Sequence, residues 1–385
     1  MADGERPAWA DIDLGAIADN VAELKRVASP ALLCAVVKAD GYGHGAVEVS
    51  RAARAAGADA LGVAMVGEGI ALREAGIDGP VMVLSEAPAD AVDALVAHGL
   101  EPTVYSAPAI AVLDAAVVGQ GLRPPVPVHL KVDTGMHRVG AAPADAVTLA
   151  AMIDASPALA LASVWTHCAV ADEPDDPFTG EQLARFDKVI AELESAGLRP
   201  PLIHAANSAT ALAHPAGRLD LVRCGIAVYG IAPSPALAGA ADLRPALSLS
   251  ARVSFVKTVS AGEGLSYGLT YRCERDSVIV TVPIGYTDGV RRRLGAVGGE
   301  VLIGGRRRPM AGTVTMDQIL VDCGEDTTVR PGDEVVLIGS QGEERITAED
   351  WAAKLDTIGY EVVCGIGPRV PRRFQPASGP RHSRS

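Results

Sequence analysis

Eight short apolar runs recur along the first two thirds of the sequence, and each ends in a polar or glycine-rich loop. Each run has the length and the aliphatic composition of a buried strand. Most are separated by alanine-rich segments with helical periodicity, such as 46–56 and 180–196. The runs are LLCAVVKAD, ADALGVAM, PVMVLSE, EPTVYS, PVHLKVDTG, LASVWTHCA, PLIHAANS and LVRCGIAVYG. Eight strand and helix units within about 250 residues predict an α/β fold with a parallel (β/α)8 TIM-like barrel.

The pattern changes after residue 245 to short alternating runs such as SARVSFVKTV and DEVVLIG, bounded by Gly, Asp and Pro. These runs predict a mostly β domain, and a chain of 385 residues is longer than one hydrophobic core normally supports. We therefore expect a barrel over 12–245 and a β-rich C-terminal domain over 246–374, with a strand at 6–11 as a candidate addition to the second. The polar, basic tail 375–385 is expected to be disordered.

One helix is expected inside the β-rich domain, over 347–355. Thr347 is a favourable N-cap residue, and Asp350 lies three positions later, where its side chain can return a hydrogen bond to the backbone of the cap. The sequence therefore predicts a helix whose start is set by a capping box.

Charge and cysteine content exclude several classes of function. The net charge is −13, whereas a nucleic-acid surface needs clustered Lys and Arg, so nucleic acid is not an expected partner. The six cysteines occur singly, with no CxxC pair and no close His/Cys spacing, so neither a metal site nor a disulfide framework is expected. No secretory signal and no uninterrupted membrane-spanning stretch are visible, which predicts a cytoplasmic protein without membrane association.

Lys38 is the first candidate for chemistry. It follows the apolar run that ends at Val37 and precedes the turn DGYGHG, so it lies at the carboxyl end of a predicted strand, where α/β folds place their active sites. Apolar surroundings disfavour an ammonium ion, and a neutral lysine amine forms a Schiff base with an aldehyde such as that of pyridoxal phosphate (PLP). On spacing alone, a lysine that simply extends from a strand end into solvent is the more frequent case.

The residues around Lys38 are more specific than its spacing. VVKADGYGHG, residues 36–45, resembles the PLP-lysine signature of alanine racemases, with Lys38 and Tyr42 in register. The resemblance extends from about Arg6 to Arg373. It implies a PLP enzyme that interconverts L- and D-alanine, in which Lys38 both holds the cofactor and serves as one catalytic base.

Further motifs resemble the family's cofactor site. In RCGIAVYG, Arg223 corresponds to an arginine that donates a hydrogen bond to the PLP pyridine nitrogen. Because arginine keeps its proton, it makes the ring a weaker electron sink and disfavours side reactions. The resemblance assigns the phosphate to Ser208, Gly225 and Ile226, since a dianion needs donors that approach closely. It assigns further cofactor contacts to these residues: Tyr42, His167, Asn207 and Tyr360.

Racemisation removes a proton from one face of Cα and returns it to the other, so a second base is expected opposite Lys38. AGEGLSYGLTY resembles the segment that carries the family's catalytic tyrosine, which makes Tyr267 the expected second base. A phenolate needs positive neighbours near neutral pH, and the family supplies a histidine and the pyridine-binding arginine. These correspond to His167 and Arg223, with His204 behind the arginine.

Substrate contacts follow from three more segments. KVDTGMHR resembles a motif whose arginine, Arg138 here, binds the substrate carboxylate, and whose lysine, Lys131 here, is carbamylated by CO₂ in relatives. MDQ resembles a family segment, which implies that Met316 and Asp317 lie near the same carboxylate. PIGYTDG resembles another, which implies that Tyr286 lies at the pocket entry.

The resemblance also implies an assembly and a cellular role. The MDQ and PIGYTDG segments lie in the second domain, and in the family they reach the barrel of the partner subunit. A head-to-tail homodimer with composite active sites is therefore expected. The implied role is the supply of D-alanine for cell-wall peptidoglycan.

Three other activities fit parts of the sequence. A racemase for serine or another small amino acid would share every motif, because the sequence does not show pocket volume. A PLP decarboxylase shares the two-domain architecture but favours an acidic partner for the pyridine nitrogen, which Arg223 is not. A PLP-binding homeostasis protein needs neither the tyrosine base nor a β-rich domain, so residues 246–373 count against it.

Overall fold

The computed structural model describes residues 7–121 and 125–376, and the chain divides into two compact units. One unit comprises residues 16–244. The other combines the described residues before position 16 with those from position 245 onward. The first strand, β1 (Ala8–Asp13), therefore belongs to the same unit as the C-terminal part of the chain.

The unit 16–244 is a barrel of eight parallel strands, and the pairing of the last strand with the first closes it. The seam between the seventh and eighth strands is made by two backbone hydrogen bonds, Asp220 N–H to Ile203 O at 3.0 Å and Arg223 N–H to Ala206 O at 2.9 Å. The strands are β2 (Leu32–Val36), β3 (Ala60–Val63), β4 (Val81–Val83), β5 (Glu101–Val104), β6 (Val126–Lys131), β7 (Leu159–Trp165), β8 (Leu202–His204) and β9 (Leu221–Cys224). All eight predicted runs supply these strands, so the TIM-like barrel is confirmed.

Helices surround the barrel because each buries one apolar face against it. In the first helix this face carries Ile17, Val21 and Leu24, at the spacing of a 3.6-residue repeat. The helices are α1 (Leu14–Ala28), α2 (Ala46–Ala55), α3 (Val66–Glu74), α4 (Val92–Ala97), α5 (Ala107–Gln120), α6 (Ala146–Asp154), α7 (Phe178–Ser195) and α8 (Ser208–Ala213). None of the helices in the described part of the chain combines the length and the apolar composition that a membrane crossing requires.

The second unit is mostly β, as predicted. A seven-stranded sheet contains β1 paired with two C-terminal strands, antiparallel to one and parallel to the other. A three-stranded sheet and a two-stranded hairpin accompany it. The C-terminal strands are β10 (Leu247–Arg252), β11 (Phe255–Val259), β12 (Gly264–Leu265), β13 (Tyr271–Arg272), β14 (Ser277–Val282), β15 (Glu300–Ile303), β16 (Arg306–Pro309), β17 (Ile319–Asp322), β18 (Glu334–Gln341), β19 (Glu344–Ile346) and β20 (Arg372–Gln375).

Two helices lie in this unit, α9 (Ala348–Leu355) and α10 (Gly359–Cys364). The predicted capping box of α9 is confirmed. Thr347 Oγ1 accepts a hydrogen bond from the Asp350 N–H at 3.0 Å, and Asp350 Oδ2 accepts one from the Thr347 N–H at 2.8 Å. The predicted start of the disordered tail at Gln375 is wrong, because Gln375 is the last residue of β20 and pairs with Asp13 of β1. Residues 377–385 of that predicted tail lie outside the described residues.

Candidate active site

Lys38 lies two residues after β2, at the start of a left-handed turn. Ala39, Asp40, Gly41 and Tyr42 all have positive φ, between 52° and 60°. Each non-glycine residue in this conformation costs about 1–2 kcal/mol, so the surrounding structure must hold the turn. Glu68 Oε1 accepts from the Ala39 N–H at 2.7 Å, and the Asp40 carboxylate accepts from the Ala46 N–H at 2.9 Å. These two bonds hold the strained backbone that carries Lys38.

Tyr42, Ser208 and Gly225 meet at the end of β9. A Cβ on Gly225 would lie 2.3 Å from Tyr42 Oη, so the tyrosine hydroxyl lies directly against the glycine backbone. Ser208 Oγ accepts from the Gly225 N–H at 2.9 Å. The Tyr42 ring packs against Tyr229, with ring centroids 4.9 Å apart. Two hydroxyl groups over a backbone without a side chain form a cradle that suits the phosphate of PLP.

Asn207 and Ile226 flank this cradle. Asn207 caps α8, because its Oδ1 accepts from the Thr210 N–H at 2.9 Å, and its Nδ2 donates to the Cys168 carbonyl at 3.4 Å. Ile226 is buried at the start of a single 3-10 turn that follows Gly225. The local role of Asn207 is therefore to shape the backbone next to Ser208, and its contact with the cofactor stays a prediction.

Arg223 is buried near the end of β9, and protein groups engage both of its Nη atoms. Nη1 lies 2.6 Å from His204 Nδ1, and Nη2 donates to the carbonyls of Thr166 at 2.8 Å and Ala205 at 3.1 Å. No residue within 7–121 or 125–376 accepts a hydrogen bond from Nε. Burial lowers the pKa of Arg223 to about 10, which still leaves it charged at neutral pH. A fixed cationic donor of this kind fits the pyridine nitrogen of PLP.

Two more basic residues share the surroundings of Arg223. His167 Nδ1 lies 3.3 Å from Arg223 Nη2, and burial, reinforced by the arginine charge, lowers the pKa of His167 well below its ordinary value. Both effects favour the neutral form of His167, which differs from the positively charged neighbour expected for the phenolate of Tyr267. Lys131 Nζ lies 4.5 Å from the centroid of the Trp165 ring. Burial, followed by the charges of Arg223 and Arg138, lowers the pKa of Lys131 to about 8.

Arg138 lies on the exposed loop that follows β6. Asp133 shapes this loop, because its Oδ1 accepts from the backbone N–H groups of Gly135 at 2.9 Å and His137 at 3.1 Å. His137, just before Arg138, has a left-handed backbone conformation with φ 55°. The Arg138 side chain is exposed, and its charge contributes to the lowered pKa of Lys131.

The predicted residues of the second unit lie mainly on three loops that hydrogen bonds tie together. The carbonyl of Tyr267 accepts from Thr313 Oγ1 at 2.9 Å, and Tyr286 N–H donates to the Thr315 carbonyl at 3.0 Å. The Met316 carbonyl accepts from Thr287 Oγ1 at 2.7 Å. Tyr267, Tyr286 and Met316 are therefore neighbours along one loop cluster, and their side chains are exposed, Tyr267 by 71%. Tyr360 is half-buried in α10.

Several residues with clear positioning roles escaped the sequence analysis. Arg369 binds Asp317 at 2.8 Å, and Glu68 binds the lysine turn. Trp165 stacks on His204, with ring centroids 5.7 Å apart and planes inclined by 7°, and also contacts Lys131 and Arg223. The only sequence signal for Trp165 was its place two residues before His167. Glu68 and Arg369 carried no signal, because their partners are backbone groups or distant residues.

The fold and these residues define the class of protein as a barrel enzyme that holds a phosphate-bearing cofactor beside a lysine. Two family models match the chain: alanine racemase, N-terminal domain, over 12–233, and alanine racemase, C-terminal domain, over 246–374. The chain belongs to the alanine racemase family, whose members are PLP-dependent isomerases.

Individual relatives agree over nearly the whole length. An alanine racemase from Symbiobacterium thermophilum is 48% identical over 372 residues, which cover 97% of this chain and 98% of the relative. The crystal structure of the alanine racemase from D-cycloserine-producing Streptomyces lavendulae superposes with a TM-score of 0.90 at 40% identity, covering 97% and 98% of the two chains. The alanine racemase of Bacillus anthracis with bound L-Ala-P gives a TM-score of 0.89 at 36% identity, covering 97% and 96%.

Proposed function

We propose that this chain interconverts L- and D-alanine with two bases, Lys38 and Tyr267, that act on opposite faces of the substrate Cα. Bound PLP supplies the electron-withdrawing ring that acidifies the Cα–H of an amino acid attached to it. Lys38 Nζ exchanges the proton on the D side, and Tyr267 Oη exchanges it on the L side. Because the two enantiomers are mirror images, the equilibrium constant is one and no energy source is needed.

The observation that carries this proposal is the buried, fully oriented Arg223. Both Nη groups are engaged by the barrel, so the guanidinium cannot turn away, and its charge persists at neutral pH. A donor that keeps its proton limits how far the ring withdraws electrons. This favours returning the proton to Cα over reactions that need a stronger electron sink, such as decarboxylation.

The remaining assignments rest on the sequence motifs, and local geometry supports the phosphate site. The cradle of Tyr42, Ser208 and Gly225 would hold the phosphate, together with Ile226 and Tyr360. His167 and Asn207 would border the cofactor. Arg138, Met316 and Asp317 would bind the substrate carboxylate, with Lys131, His204 and Tyr286 in supporting positions. We assign the PLP-binding domain to a barrel within 12–245, and the β-rich domain to 246–374 together with the N-terminal strand β1.

Assembly and location are also part of the proposal. Tyr267 and Met316 are exposed in the single chain, as expected of residues that complete a site in a homodimer. We propose such a homodimer with composite sites, located in the cytoplasm, that supplies D-alanine for peptidoglycan. Size-exclusion chromatography with light scattering would test the dimer, which a mass of one chain at micromolar concentration would contradict.

The first experiment is racemisation itself. The purified protein with PLP is incubated with L-alanine, and the enantiomers are separated by chiral chromatography; the matched control is Lys38→Ala. We expect convergence to equal L and D with the unchanged chain and none with the control. L-serine in a parallel reaction measures the competing preference. Unchanged L-alanine despite bound PLP would overturn the proposal.

A further inference from the structure

A continuous chain of hydrogen bonds crosses the barrel interior through one side chain from each of five successive strands. Glu101 Oε2 lies 3.0 Å from His129 Nε2, and His129 Nδ1 lies 2.7 Å from Ser163 Oγ. Ser163 Oγ lies 2.9 Å from His204 Nε2, and His204 Nδ1 lies 2.6 Å from Arg223 Nη1. All but Glu101 are buried, and the side chain of Glu101 is 19% exposed.

With both histidines neutral, the chemistry of the two ends fixes every proton between them. Arginine only donates and a carboxylate only accepts. Arg223 therefore donates to His204 Nδ1, which places the proton of His204 on Nε2, where it is donated to Ser163. The serine hydroxyl then donates to His129 Nδ1, and His129 donates from Nε2 to Glu101. Each donor points from the arginine toward the carboxylate.

We propose that Glu101, His129 and Ser163 are positioning residues that hold His204 in its Nε2–H form and thereby fix the orientation of Arg223 toward the cofactor. The inference rests on the proposed role of Arg223 as the donor to the pyridine nitrogen. It extends that role through three residues that do not touch the cofactor. These three residues would orient Arg223 and balance its charge, because Glu101 supplies a negative charge at the far end of the hydrogen-bond chain.

The electrostatics of the interior agree with this arrangement. Burial, reinforced by the charge of Arg223, lowers the pKa of His204 well below its ordinary value. A protonated His204 would lose its acceptor and place a second positive charge beside Arg223. At the opposite end, burial lowers the pKa of Arg73, and the charge of Glu101 acts against this larger effect.

The barrel interior also contains a matched control. Thr103 lies two residues after Glu101 on β5 and is buried, and its Oγ1 has no hydrogen-bond partner among the described residues. Thr103→Val removes a buried hydroxyl without touching the chain of bonds. Ser163→Ala removes the hydroxyl at its centre. Ser163→Thr keeps a hydroxyl at the same position.

The test is ¹⁵N NMR of the holoenzyme with labelled histidines, followed from pH 6 to 9, together with kcat for racemisation. In the unchanged chain we expect both His129 and His204 as Nε2–H tautomers, with His204 in this form across the pH range. Ser163→Ala should remove the constraint that fixes the tautomer of His129, and lower kcat by about 5- to 10-fold, the value of one hydrogen bond. Ser163→Thr should restore both readouts, and Thr103→Val should leave both unchanged.

Several outcomes would overturn the inference. A protonated His204 in the unchanged chain would do so, as would a Ser163→Ala protein with unaltered tautomers. If Ser163→Ala does not fold, Glu101→Gln removes the negative charge at the more exposed end, and an unaltered His129 signal with unaltered kcat would count equally against it. The NMR readout is independent of turnover, so correct tautomers without racemisation would instead contradict the proposed function.

Discussion

The barrel unit and the C-terminal unit carry their candidate site residues in opposite ways. In the barrel, Arg223 and His204 are buried and bonded on several sides. In the C-terminal unit, Tyr267 and Met316 project from exposed loops, and backbone bonds hold the loops while the side chains remain accessible. Burial raises the cost of any misplaced charge, whereas an exposed loop positions a group only approximately. The barrel therefore holds its candidate residues in fixed positions, whereas the loops leave the candidate side chains of the second unit accessible.

The largest expected effect tests the exposed side of this comparison. Tyr267→Phe removes one phenolic oxygen from a side chain that is 71% exposed, so the fold and PLP binding should persist. Loss of one acid–base group should lower racemisation by about 10²–10⁴-fold. In D₂O, exchange of the α-proton should vanish from L-alanine and continue from D-alanine, as read by ¹H NMR. Equal loss of exchange from both enantiomers would refute the assignment of sides.

A smaller effect, on PLP affinity, is expected from a substitution in the buried cradle of the barrel. Gly225→Ala places a Cβ 2.3 Å from Tyr42 Oη, so the added side chain clashes with the tyrosine hydroxyl. Overpacking of this kind costs about 1–3 kcal/mol, which should appear as weaker PLP binding in a titration of the apoprotein. Adding Tyr42→Phe should recover part of the loss.

The matched control for this substitution is Gly180→Ala. A Cβ at Gly180, in α7, meets nothing within 4 Å, and alanine is the better helix residue. PLP affinity should be unchanged in that variant. If Gly225→Ala also bound PLP normally, the contact with Tyr42 would not be part of the phosphate cradle.

The same contrast explains how much the sequence could predict. Strands with aliphatic runs, and the helix after Thr347, follow from local patterns, so the barrel and the capping box were predictable from neighbouring residues alone. Motif residues such as Lys38 and Arg223 were found by resemblance. Glu101 and Ser163 were not, because a lone polar residue in a strand shows neither which way it points nor which strand it meets. Their partners lie 28 and 41 residues away, at His129 and His204.

The pairing of β1 also could not be predicted from neighbouring residues alone. A strand near the N-terminus was expected, but its partners were not predictable. β1 pairs with β10 and β20, which lie more than 200 residues later in the chain. Pairing at such separation depends on tertiary packing, which local propensity does not encode.

The smallest expected effect concerns Lys131, a buried residue whose pKa is affected by the exposed Arg138. Burial lowers its pKa to about 8, so the neutral amine that reacts with CO₂ is scarce below this pH and prevalent above it. At fixed dissolved CO₂, a ¹³C carbamate signal should therefore grow as pH rises through about 8. The modified lysine is an anion and should orient Arg138, so removing CO₂ should raise KM for alanine a few-fold and leave kcat nearly unchanged. Lys131→Gln should show no carbamate signal and no response to CO₂. A carbamate signal that persists in this variant would place the modification on another amine.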